Sequence, residues 1–340
     1  MKISIKLFLA FALLVPSLWS CKDDDDKSSS KYLTGSLSLD FPTYVQPGYT
    51  KTFMIDTLMT VSRDDESKAI GYYFKDPNTG KTDTLVDANG EFLKHHYTVT
   101  IKDTLANLSI TLGAFVEEGY FGSVKSHSFT VVKPGLDGKG SLTGYKLDTA
   151  NETFVDPRDG KSYYYTTING TDWMRQNLAW EGAGVAYKKE PAIVDIFGSF
   201  YTWEEAQTVC PEGWRLPNDA DLVALGQKYG TAPQPESHIG DLAGDMMEDI
   251  YFNDNKMWEY WRDVKITNAS GLSVIPVGYA TIEDGEYIFD HIYKYAAFWT
   301  SGSKGEQGAY RYIYQDKDVV FYGLVSKTDV AMPVRCVRTK

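Results

Sequence analysis

Cysteine, histidine and clustered basic residues are all scarce in this 340-residue chain, and each scarcity excludes something. The histidines are His95, His96, His127, His238 and His291, and none has zinc-type spacing with a second ligand. Lys and Arg number 34 against 46 Asp and Glu, for a net charge of −12, and the cations form no block. Nucleic-acid binding sets clustered cations against phosphates, so no nucleic-acid partner is expected. Neither a Gly-rich phosphate loop nor a Gly-x-Ser-x-Gly elbow is present. Paired carboxylates occur throughout an acidic chain and single out no catalytic pair. The expectation is a binding or structural protein, with no catalytic residue, no metal and no cofactor. Long apolar runs are missing too. The run Leu7 to Leu18 covers about a dozen residues, short of the ~20 that a helix needs to cross a bilayer.

That run nevertheless has a reading. Lys2 and Lys6 flank its start and the small Ser20 follows it, the layout of a secretory signal over residues 1–20. Leu18-Trp19-Ser20-Cys21 resembles a bacterial lipobox, which implies acylation of Cys21 and a lipid anchor in the outer membrane. From Lys22 to Lys31 the chain holds four aspartates, three lysines and three serines. Such a stretch has no apolar surface to bury, so residues 21–31 read as a solvated tether. Its acidic run resembles the surface-export signal of lipoproteins in Bacteroidetes-type bacteria, which implies an outward-facing protein. A plain spacer or a tag-like insertion has the same composition.

Two patterns divide the rest. Residues 32–133 carry short β-rich runs at regular spacing: Ser36–Phe41, Thr52–Ile55, Ala69–Phe74, His96–Ile101, Leu108–Leu112 and Ser126–Val132. With Pro47-Gly48 and Asn89-Gly90 as turns, this predicts an all-β sandwich. It resembles the immunoglobulin-like modules of surface lipoproteins. Pro134-Gly135, Gly138, Gly140 and Gly144 place a linker at residues 134–148. Residues 149–340 predict an α+β domain. Ser162–Ile168 and Thr171–Met174 flank an Asn169-Gly170 hairpin turn. Helices are expected from Thr202-Trp-Glu-Glu205, which has capping-box spacing, and from Asn218 to Gly230. Strands follow at Leu272–Val277, Glu286–Phe289, Ala297–Thr300, Tyr310–Tyr314, Val319–Leu324 and Val334–Val337.

Cys210 and Cys336 form an even pair once Cys21 is set aside, open to a disulfide or to two buried thiols. Several motifs then point one way: Asp156-Pro-Arg-Asp-Gly160, Asn169-Gly-Thr-Asp-Trp-Met174, Gln176-Asn-Leu178, Phe200-Tyr-Thr-Trp203, Cys210-Pro-Glu-Gly-Trp-Arg-Leu-Pro217, Phe298-Trp-Thr-Ser301 and Val334-Arg-Cys-Val-Arg338. In that order they resemble the Fibrobacter succinogenes major paralogous domain over residues 152–339. The resemblance implies two short helices and twisted antiparallel sheets in a fold related to C-type lectin-like domains and formylglycine-generating sulfatase modifiers. It also implies a Cys210–Cys336 bond. Trp173, Trp203, Trp214 and Trp299 read as core, and Arg215 and Arg335 as braces on carboxylates or carbonyls.

Residues 230–263 depart most from that pattern. Asp241, Asp245 and Asp254 occur there with Trp258, Tyr260 and Trp261. Rings that stack on sugars beside carboxylates that bond hydroxyls make these six the candidate ligand site. A satellite core with an acidic face has the same composition. Asp56-Thr57-Leu58, Asp83-Thr84-Leu85, Asp103-Thr104-Leu105 and Asp148-Thr149-Ala150 resemble the O-glycosylation acceptor of Bacteroides-like bacteria. The expected function is a lipid-anchored surface protein binding an extracellular glycan or a host or matrix protein. The alternative is an accessory subunit of a surface appendage or nutrient-uptake complex.

Overall fold

The computed structural model describes residues 31–32, 36–54, 71–85, 96–115, 120–121, 123–136, 139–146 and 152–340. Cys21, the signal and most of the tether lie outside the described residues, as do Asn89-Gly90, Asp56-Thr57-Leu58 and Asp148-Thr149-Ala150. What is described is mostly β, with four short α-helices.

In the N-terminal part, alternation builds two facing sheets. A five-stranded sheet runs in the order Tyr44–Val45, Ser123–Val131, Asn107–Phe115, Gly71–Lys75, Thr82–Thr84. A second sheet pairs Thr50–Met54 with His96–Thr100. On that pair Phe53, Tyr97 and Val99 point inward while Thr50, Thr52, Thr98 and Thr100 face solvent. Their core is aromatic: Phe74 and Tyr97 stack at 4.4 Å, and Phe53 lies 5.2 Å from Phe74. Each such pair adds about 0.5–1.5 kcal/mol beyond its burial. Ser36–Phe41 differs from expectation. Leu37, Leu39 and Phe41 do bury alternately, yet the segment is no strand of either sheet.

The segment foreseen as a linker is built into the body that follows. Ser141 and Leu142 are buried, and Leu142–Thr143 pairs with Tyr251–Phe252. Asn253 donates its backbone N–H to Ser141 O at 2.8 Å and its side-chain amide to Val131 O at 2.9 Å. Nearby, Thr43 N–H reaches Glu190 Oε1 at 2.7 Å and the Gln46 amide reaches Ala192 O at 3.2 Å. The Tyr44 ring sits between Tyr187 and Phe252.

The C-terminal part holds two four-stranded sheets. One runs Glu152–Val155, Ser162–Ile168, Thr171–Met174, Val337–Thr339, and its central hairpin turns on Asn169 and Gly170, both at positive φ (51° and 79°). That pair of left-handed residues is what a type I′ turn demands. The other sheet runs Ile239–Gly240, Val319–Ser326, Gln307–Tyr314, Tyr295–Lys304. The expected capping box of Thr202 with Glu205 is present, and Asn218 caps the second helix in a further box with Asp221. The first helix is shorter than its pattern suggests, Trp203–Ala206, while the second spans Asp219–Tyr229. Val194–Phe197 and Ala243–Met246 add two helices that periodicity did not reveal, each a single turn. The last strand begins at Val337, not Val334, and Tyr279–Glu283 is an unforeseen strand.

Leu272–Val277 forms no strand. Side chains take three of its carbonyls: Arg335 donates to Leu272 O and Ser273 O, and Trp258 Nε1 donates to Val274 O, while Ile275 O and Pro276 O accept the backbone N–H groups of Val277 and Tyr293. With those acceptors filled, no neighbouring strand is needed to satisfy the backbone.

Candidate functional site

Cys210 and Cys336 are bonded, with Cα atoms 5.8 Å apart. The bond ties the turn after Trp203–Ala206 to the chain entering the last strand. Cys336 is buried among Tyr201, Trp214, Trp299 and Val334. A sulfur held in this way is no nucleophile. Arg335, next in sequence, is buried with Arg175 and Glu248. Arg175 lies 3.7 Å from Glu248, and Arg335 Nε donates to Asn177 Oδ1 at 3.0 Å. Burial lowers the Arg335 guanidinium to about 10 and pushes the Tyr145 phenol beside it up to about 12. Arg335 is a carbonyl brace, as the sequence suggests. Arg215 braces a carboxylate, Asp221, through both terminal nitrogens, but at the surface and not inside the core.

The six candidate residues of 230–263 do not form one site. Trp258 is corrected outright: it is fully buried, its indole N–H donates to Val274 O at 2.9 Å, and it offers no face to a ligand. Met257 beside it is also fully buried, and together they pin the start of a short projection. Glu259 Oε2 accepts the Gln315 amide at 3.1 Å, and Val264 N–H closes back onto Trp261 O. Between these fixed points the projection lifts its rings into solvent, Tyr260 at 80 % exposure and Trp261 at 40 %.

The carboxylates are divided. Asp241 accepts the Thr231 hydroxyl at 2.9 Å, and Asp245 accepts the Thr267 hydroxyl. Both lie near Asp318, whose pKa is raised by burial and then by these two charges, although it accepts the Gly244 N–H. Asp254 stands apart, exposed at the tip of the Tyr251–Lys256 hairpin. Among the described residues no group of three His, Cys, Asp or Glu is placed to hold a metal ion.

Two other features belong to the molecule's inventory. A cavity of about 460 Å³ lies between Lys133–Leu136, Lys139 and Leu142 on one side and the wall made by Ser162–Tyr164, Gln176 and Asn177 on the other. Its cations are engaged: Lys161 holds Ala179 O, Glu181 and Asp195, and Lys133 holds Asp103. The second is an aromatic face on the sheet containing Gln307–Tyr314, which sequence reading took only as strand. The signal was the alternation Tyr310, Tyr312, Tyr314, which puts three rings on one side. Of the threonines in the acceptor-like motifs, Thr84 and Thr104 are both exposed.

A family model described as the Fibrobacter succinogenes major domain matches residues 166–338. The chain belongs to that family. No curated protein and no solved structure matches it.

Proposed function

We propose that this is a surface lipoprotein of the outer membrane that binds an extracellular ligand, a glycan ahead of a host or matrix protein, through its C-terminal domain. In this reading acylated Cys21 holds the chain to the membrane and the acidic tether carries it outward. The N-terminal sheets act as an immunoglobulin-like spacer. The C-terminal fold is C-type lectin-like, with its variable loop at residues 230–263.

One observation carries the reading. Tyr260 and Trp261 are consecutive large rings projecting into solvent from a segment pinned at both ends. An exposed aromatic pair on a fixed base is a preorganised anchor, because little side-chain entropy is lost when a ligand covers it. The disulfide supports a binding role over sulfatase-modifier chemistry, which relies on reactive cysteines. The test is a glycan array probed with the full chain in detergent, beside Trp261→Ala. Loss of array signal in Trp261→Ala, with an unchanged unfolding midpoint, supports the reading. An array signal that Trp261→Ala leaves intact removes the loop as the site.

A further inference from the structure

The cavity beside Ser162–Tyr164 combines fixed walls with polar groups that have no partner. Strand alternation sets one wall. Tyr163 turns into the core with Met174 and Leu178, so Ser162 and Tyr164 turn the other way. Thr153 stands directly opposite Tyr164 on the neighbouring strand, and Val155, 56 % exposed, stands directly opposite Ser162. A sheet face ordinarily buries itself against another layer. Here Lys133–Leu136, Lys139 and Leu142 stand off the face and leave about 460 Å³. Ligand pockets span about 300–1,000 Å³ and recur between folded parts of a chain.

Both walls are held from behind. Lys133 N–H donates to Ser141 Oγ at 2.9 Å and Ser141 N–H to Lys133 O at 2.8 Å. Leu142 is buried and paired with Phe252. On the facing wall, Asn177 donates to Phe197 O at 2.8 Å and accepts from the Arg335 guanidinium at 3.0 Å. Gln176 Oε1 accepts the Tyr164 N–H at 2.7 Å, which fixes the direction of its amide. A recess whose walls are already ordered loses little entropy when it is filled.

Charge and hydrogen bonding define what fits. Lys161 spends its three protons on Ala179 O, Glu181 and Asp195. Lys133 pairs with Asp103, and Lys139 is likewise engaged. An anion entering here finds no uncommitted cation, so charge gives it no advantage. The groups left over are neutral. The Gln176 Nε2 donor and the hydroxyls of Ser162 and Tyr164 have no partner among the described residues. The Tyr164 ring pairs with no other aromatic ring there, and Leu136, Leu142 and Ile196 add apolar surface.

We infer that this cavity binds a small neutral carbohydrate of one or two rings, at a site that shares no residue with the Tyr260–Trp261 loop. Sugar hydroxyls both donate and accept, which suits two protein hydroxyls beside a fixed amide donor. The C–H face of a sugar ring suits the electron-rich face of Tyr164. A purely apolar ligand would bury those three polar groups unpaired. The inference stands apart from the loop, and either site can fail without the other.

Saturation-transfer difference NMR and isothermal titration test this, on the full chain in a sugar-free detergent. Cellobiose, maltose, lactose and N-acetylglucosamine are the neutral probes, and glucuronate and glucosamine the charged ones. At least one neutral probe is expected to bind, and the charged probes at least tenfold more weakly. Gln176→Glu keeps an oxygen for the Tyr164 N–H but removes the donor. That change and Tyr164→Ala should each weaken binding about tenfold with little change in the urea midpoint. Ser162→Trp, at an exposed position, should fill the mouth and abolish binding. Mapped tyrosine nitration of the unmutated protein needs no variant: a bound neutral probe should slow modification of Tyr164 and leave Tyr260 unaffected. The proposal is overturned if no neutral probe binds, or if the charged probes bind equally well. It is also overturned if the three folded variants bind as wild type does. Protection of Tyr260 in place of Tyr164 would put the sugar on the loop and overturn it too.

Discussion

Arg311 is almost entirely buried, and its Nε donates to Asp219 Oδ1 at 2.9 Å in the first turn of the Asp219–Tyr229 helix. A second guanidinium nitrogen donates to the same oxygen, and a third to Ser237 O. This one side chain therefore joins the sheet containing Gln307–Tyr314 to the only helix of more than four residues among the described residues. Removing one partner of a buried pair strands the other charge, which costs about 3–5 kcal/mol. Arg311→Leu should lower the urea unfolding free energy by that order. Asp219→Asn, which keeps the shape and an acceptor oxygen, should cost less.

The two tryptophans of the projection should separate stability from binding. Trp258→Ala empties a fully buried site and should destabilise by roughly 3–5 kcal/mol, as large-to-small core changes do. Trp261→Ala truncates an exposed ring and should stay within about 0.5 kcal/mol. Equilibrium denaturation of the two variants side by side decides it. Equal destabilisation would show that Trp261 is part of the core.

The Cys210–Cys336 bond closes a separation of 126 residues. Loss of a native disulfide in a small exported domain costs about 2–5 kcal/mol. Reductant, or the double change Cys210→Ser with Cys336→Ser, should lower the denaturation midpoint accordingly. A midpoint indifferent to reductant would contradict the bond.

Acid should weaken the C-terminal domain through Asp156. Its side chain is fully buried against Arg158, with Oδ2 2.7 Å from the guanidinium. Burial alone would raise its pKa, but the hydrogen bonds and charge of Arg158 outweigh that and hold it below the ordinary 3.8. A carboxyl whose folded pKa is depressed stabilises fully above its unfolded value. That stability drains away as pH falls from about 4 through the lower folded pKa. Wild type should therefore lose more stability between pH 5 and pH 3 than Asp156→Asn, compared by urea midpoints (both pH values are ~1 unit either side of the unfolded range).

Membrane attachment should follow Cys21 alone. Labelled palmitate should enter the wild-type protein and be absent from Cys21→Ser, which should appear in the soluble fraction. Label retained by Cys21→Ser would place the lipid elsewhere.

Much of this architecture was legible because local chemistry agreed with it. Thr202 with Glu205 read as a capping box and Asn218 as a helix start, and both are N-caps. Asn169-Gly170 read as a hairpin turn and has the backbone that turn requires. What was illegible depends on partners distant in sequence. Leu272–Val277 has a strand's composition but is satisfied by Arg335 and Trp258, which no local pattern reveals. Trp258 and Trp261 are three residues apart with opposite burial, because only one of them meets Val274. The aromatic face was hidden for the same reason: Tyr295, Tyr312 and Phe321 come from separate strands, and register alone brings them together.

The disulfide also shapes how the domain would carry a load. Trp261 lies inside the covalent loop between Cys210 and Cys336, and the chain toward the N-terminus leaves from the Cys210 side. A pull entering at Trp261 divides between two arms, one running back to Cys210 and the other forward to Cys336, which meet at the sulfur pair. Neither arm can pay out slack unless the other does. Load applied at Trp261 would stretch a closed ring, not unspool a single thread.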